Sequence, residues 1–131
     1  MSEQARNSEV VRQFAERWNA GDFDGVLALY DDKAEMISGP EWPDPPLIGK
    51  EAVAAFAEEW RDSWASSEVD LHGIEAVDNV VVAGGSWDAR GAVTGIEGSM
   101  PFGVMFTLRD GLVVRHEWFP GLAEARQAAG L

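Results

Sequence analysis

The stretch Phe14-Ala15-Glu16-Arg17-Trp18-Asn19-Ala20-Gly21-Asp22-Phe23-Asp24-Gly25-Val26-Leu27-Ala28-Leu29-Tyr30 decides how this chain is built. Its first part completes a helical repeat. From Glu9 to Asn19 the apolar residues Val10, Val11, Phe14, Ala15 and Trp18 recur at helical spacing, while Arg12, Gln13, Glu16 and Arg17 take the opposite side. Gly21 suits a C-terminal cap, and Asp22 can cap a second, short helix running through Leu27, Leu29 and Tyr30.

Downstream, Ala34 to Ser38 reads as a short strand. Gly39, Pro40, Pro43, Pro45 and Pro46 then make regular structure improbable until Gly49, which leaves a surface loop carrying Trp42. Val53, Phe56, Ala57, Trp60 and Trp64 repeat at three and four, with Glu58, Glu59, Arg61 and Asp62 outside, and predict a third helix from Lys50 to Ala65. From Val69 the period falls to two. Strands are expected at 68–77, 80–90, 99–109 and 112–119, and Asp110-Gly111 is the strongest hairpin signal. Gly84-Gly85 suggests a bulge or bend inside the second of these strands, and Ala123 to Ala129 a last helical turn or two. Helices first and antiparallel strands afterward specify an α+β layer arrangement, with the helices covering one face of the sheet.

The length of 131 residues suits a single domain, 1–131. Asp and Glu number 23 against 10 Lys and Arg, a formal charge of −13, which disfavours nucleic acid and anionic membranes as partners. No apolar run approaches the roughly 20 residues needed to span a bilayer. The start, Met1-Ser2-Glu3-Gln4-Ala5, lacks the apolar core of a signal peptide, so a cytoplasmic location is expected. Cysteine is absent, which removes disulfides, thiolate nucleophiles and cysteine metal ligands together.

The segment Phe14 to Tyr30 resembles the opening helices of the SnoaL-like branch of the nuclear transport factor 2-like superfamily. Ile48-Gly49-Lys50-Glu51-Ala52-Val53 resembles the entry to its third helix, and Leu108-Arg109-Asp110-Gly111-Leu112-Val113-Val114-Arg115 its final hairpin. The resemblance implies a cone of curved, antiparallel or mixed sheet closed by three N-terminal helices, usually a homodimer through the outer sheet surface. That fold hosts steroid isomerases, polyketide cyclases, epoxide hydrolases, dehydratases and non-catalytic binding proteins, so function must be argued from the residues inside the cone.

On the last strand Val114, His116 and Trp118 share one face, and Val113, Arg115, Glu117 and Phe119 the other. The first set is the more apolar and is expected inward, with His116 as a proton-transfer group or as a satisfied core histidine. A slip of one residue would put Glu117 inward instead. Otherwise it is a solvated or dimer-contact carboxylate paired with Arg115. Asp88, in phase with Val80, Val82, Gly84 and Ser86, is a second candidate acid or base if that face lines the cone, whereas a bulge at the glycines would send Trp87 inward. Tyr30, the only tyrosine, is a candidate donor to a substrate oxygen.

Phe14, Trp18, Phe56, Trp60, Trp64 and Trp118 converge on the gap as candidate ligand-binding rings or as ordinary core. With two histidines and no phosphate-cradling glycine loop, no metal or cofactor is expected. These residues point to a cofactor-independent acid/base enzyme acting on a small, apolar, oxygenated molecule. The competing expectation is a binding or dimerisation module, and Trp87 and Phe119 on the outer sheet face would be contact anchors in a larger complex.

Overall fold

The computed structural model describes residues 2–38 and 45–131. Helix α1 (Glu3–Asn19) begins where the Ser2 hydroxyl accepts the Ala5 N–H at 3.1 Å, earlier than the apolar periodicity alone marks. It buries Val11 and Phe14. Asp22 caps the short α2 (Phe23–Leu27) by accepting from the Gly25 N–H, and the Arg17 guanidinium donates to the Gly25 carbonyl at 2.8 Å, which closes the corner. The second helix stops before Tyr30. The Leu29 carbonyl accepts from the Val113 N–H, which draws the chain into the sheet, and Tyr30 opens β1 (Tyr30–Ile37).

The two-residue β2 (Leu47–Ile48) pairs with β1, in a stretch whose prolines predict no regular structure; Trp42 and the rest of 39–44 lie outside the described residues. Helix α3 (Lys50–Ser63) follows. The long strands β3 (Trp64–Val77), β4 (Val80–Gly91), β5 (Glu97–Arg109) and β6 (Leu112–Phe119) then complete a sheet of order β2-β1-β6-β5-β4-β3. Among the described residues only the β1–β6 pair is parallel. A mixed, curved six-stranded sheet with helices packed on it is the α+β cone of the expected class.

Two bulges set which residues face inward. Gly84 and Gly85 do not interrupt their strand: β4 pairs with β5 without a break from Val80 to Arg90. The irregularity lies opposite, between His72 and Glu75 of β3, where Gly73 adopts φ +61°. In β6 the extra residue is Val114, since Arg115 pairs with Thr107 but Val113 with Leu108. Val113 therefore enters the core in place of Val114, while His116 and Trp118 keep the inward phase.

Gly84 and Gly103 have another use. A Cβ on Gly103 would fall 2.0 Å from the Gly121 carbonyl oxygen, and one on Gly84 3.0 Å from Leu122 Cβ. These positions are bare because α4 (Leu122–Ala128) crosses the outer face of the sheet there. It seals Val82 and its own Ala125 from water, and Arg126 pairs with Glu75 at its edge. Helices thus lie on both faces of the sheet, not on one.

Candidate active site

Between α1, α3 and the inner face of the sheet lies an apolar cavity of about 320 Å³. Its most buried polar groups come from two strands. Tyr30, at the start of β1, is 2% exposed, and His116 of β6 is 0% exposed. The tyrosine oxygen lies 2.7 Å from His116 Nδ1. The imidazole is stacked on Phe106 with ring centres 4.3 Å apart, tilted against Trp118 at 4.5 Å and met edge-on by Phe14 at 5.4 Å. A ring held on three sides keeps one orientation.

That enclosure fixes the chemistry of the pair. Burial lowers the His116 pKa to about 3 and raises that of the Tyr30 hydroxyl, so both are neutral at physiological pH. Hydrogen-bond accounting assigns the tautomer. If Tyr30 donates to Nδ1, its O–H and that nitrogen are both satisfied and His116 carries its proton on Nε2. The reverse tautomer would strand the tyrosine O–H as well as an Nε2 lone pair, at a cost of about 1–3 kcal/mol for each buried orphan. Nε2 has no hydrogen-bond partner among the described residues. The site is therefore a neutral imidazole with one free N–H, in the wall of an apolar chamber.

Phe14, Trp18, Phe56, Trp60 and Trp118 border the cavity together with Tyr30 and His116. Trp64 does not: its ring packs on Trp87 at 4.7 Å and on Trp60 at 5.7 Å, behind the lining. Trp87, expected on the outer face, lines the cavity instead, because Val81, Ala83, Gly85 and Trp87 share the inner phase of β4. Its indole N–H donates to Ser67 Oγ at 2.7 Å, and the Trp18 N–H reaches the same oxygen at 3.4 Å.

Asp88 is consequently exposed on the opposite face, in a shallow groove with Ser66, Glu68 and Arg90, and directly across from Glu68 and Ser99. This corrects the expectation that it enters the cone. The reason is that α4 makes the outer face of Val80 to Gly85 as apolar as the inner one, which erases the alternation that would have shown the phase. Glu117 also points away from the cavity, its side chain 13% exposed and ion-paired with Arg115. Met36, the register neighbour of His116, and Phe102, whose ring packs on Trp118 at 5.2 Å, also line the cavity although the sequence did not single them out. Phe102 alternates with Val104 and Phe106, a signal legible once the phase of β5 is known.

Among the described residues no cluster of three His, Asp or Glu side chains could hold a metal ion, and no helix is long and apolar enough to cross a membrane. No curated protein matches the chain by sequence. Among solved structures, a candidate polyketide cyclase from Xanthomonas campestris pv. campestris superposes with a TM-score of 0.79 at 26% identity, over 94% of this chain and 96% of that one. A candidate SnoaL-like polyketide cyclase from Jannaschia sp. CCS1 gives 0.80 at 20% identity, over 98% and 94%. A nuclear transport factor 2-like protein from Burkholderia pseudomallei K96243 also gives 0.80 at 20%, over 97% of each chain. Residues 11–116, from the buried Val11 of α1 to the central histidine of β6, match the SnoaL-like domain family, and the chain belongs to that family.

Proposed function

We propose that the cavity binds a small, apolar carbonyl compound and polarises its carbonyl oxygen through His116, promoting enolisation and the isomerisation or ring closure that an enolate allows. The observation that carries this reading is the pairing of a cavity-bordering, neutral imidazole with a tyrosine that fixes its tautomer. Likeness to a candidate polyketide cyclase is consistent with it.

In this scheme the Nε2–H of His116 donates to the substrate oxygen as negative charge grows there. A donor placed in an apolar, water-poor site is worth far more than in water, on the order of 10²–10³ in rate. With its pKa lowered to about 3, the imidazole is a weak base and acts as an electrophile. The α-proton leaves to a water molecule or to a basic group of the substrate. It returns to a different carbon in an isomerisation; in a ring closure the enolate carbon attacks a second carbonyl carbon of the substrate, whose C=O π bond breaks and whose oxygen takes up the proton. Asp88 has no part, since it lies outside the cavity.

A second reading, a non-catalytic binding protein, is favoured by one observation: among the described residues no carboxylate borders the cavity. Exchange of the α-protons of 2-tetralone in D2O, followed by NMR, separates the two. The catalytic reading requires wild-type protein to accelerate exchange and His116→Gln to lose at least about tenfold of that acceleration. Binding of the ketone without accelerated exchange would establish the second reading, and neither binding nor exchange would overturn both.

A further inference from the structure

Besides His116 Nε2, one other buried polar atom on a cavity-bordering residue lacks a hydrogen-bond partner: the indole Nε1 of Trp60. The other indoles differ in ways that make this informative. Trp87 and Trp18 both have Ser67 Oγ as acceptor, and Trp64, whose Nε1 is also unpartnered, stands behind the lining. An indole nitrogen donates only, and the preferred His116 tautomer leaves a donor as well. Among the fully buried side-chain atoms of the described cavity-bordering residues, the two without a partner are thus nitrogens, one from helix α3 and one from strand β6.

We infer that Trp60 is a specificity-determining residue whose indole N–H takes a second acceptor oxygen of the ligand, so that the cavity selects apolar molecules bearing two acceptor oxygens over those bearing one. The inference rests on the proposed carbonyl-binding role of His116. Two donors fixed in different elements are matched by two acceptors on one rigid skeleton, and a ligand that supplies only one leaves the other N–H buried and unpaired. A ligand hydroxyl that must donate gains nothing at either point.

Isothermal titration with naphthalene, 1-tetralone and 1,4-naphthoquinone presents zero, one and two carbonyl oxygens on related bicyclic frames, and the absence of cysteine removes the usual thiol addition to the quinone. In the wild type each added oxygen is expected to tighten binding about fivefold, the equivalent of one ordinary hydrogen bond. Trp60→Phe keeps a ring and removes the N–H. It should abolish the advantage of the quinone over the ketone and leave that of the ketone over naphthalene. Trp64→Phe, an equal change behind the lining, should retain both. A wild type that binds quinone no better than ketone, a Trp60→Phe variant that keeps the quinone advantage, or an equal loss in both variants would each overturn the role of Trp60. A wild type that prefers the ketone to naphthalene would leave the role of His116 standing in all three cases; one that binds the two alike would overturn that role.

Discussion

The hydroxyl of Tyr30 and Nδ1 of His116 lie 2.7 Å apart although 86 residues separate them in the chain. Tyr30 stands at the first position of β1, and its register partner on β6 is Val113; the parallel pairing then skips, so that Met36 lies beside His116. The irregularity between Tyr30 and Glu35 leaves the tyrosine ring within reach of the imidazole. Among the described residues neither has another side-chain hydrogen-bond partner, so the hydroxyl selects which ring nitrogen carries the proton, while burial keeps both groups neutral.

Removing the hydroxyl tests that dependence. Tyr30→Phe leaves Nδ1 buried without a donor, and the variant is expected to lose about 1–3 kcal/mol of stability in urea unfolding. It should also weaken ketone-dependent effects at His116, because the tautomer is no longer fixed. A variant as stable as wild type within about 0.5 kcal/mol would show that the pair contributes nothing.

The pH dependence has a definite sign. Burial lowers the folded-state pKa of His116 from 6.5 to about 3, so between those values the unfolded chain binds a proton that the folded chain does not. Stability from this group is fully present above about pH 6.5 and falls as the pH drops toward about 3, by up to about 1.4 kcal/mol per pH unit. Comparing wild type with His116→Gln across that range isolates this contribution from the carboxylates. Parallel curves would rule out a neutral buried imidazole.

Asn19 makes a second long-range prediction. At the end of α1 its side chain donates to the Val69 carbonyl and accepts from the Val69 N–H, both at 2.7 Å. Because β3 is the edge strand, the side chain satisfies backbone groups that have no neighbouring strand. Asn19→Ala is expected to cost about 1–3 kcal/mol and to raise the hydrogen exchange of the Val69 amide selectively. Unchanged exchange at that amide would remove the clamp from the account.

The glycine seat of α4 predicts an asymmetry between two strand positions. Gly103→Ala would drive a methyl group into the backbone of Gly121 and should destabilise by about 1–3 kcal/mol. Gly98→Ala, on the same strand with no atom within 4 Å of the added carbon, should be neutral or slightly stabilising. Equal thermal midpoints for the two variants would contradict the close approach.

Asp88→Asn should change neither stability by more than about 0.5 kcal/mol nor ketone binding, since the residue is exposed on the outer face. A loss of exchange activity in this variant would place the reacting molecule elsewhere.

The sequence by itself determined the elements and their class. Helical spacing through Phe14 and Trp18, the period-two run beyond Val69 and the Asp110-Gly111 turn are local signals, and the residues that carry them form α1, the long strands and the final hairpin. The same strand periodicity put His116 and Trp118 on one face and Glu117 on the other. Only the tertiary structure decided where β4 points. Apolar residues fill both faces of Val80 to Gly85 because helices cover both, and a strand buried on two sides carries no record of which is inner. The pairing of Tyr30 with His116 was equally beyond local reading, since it depends on strand register between the two ends of the fold. With it came the neutral imidazole, whose state is set by the absence of water around it and not by its neighbours in sequence.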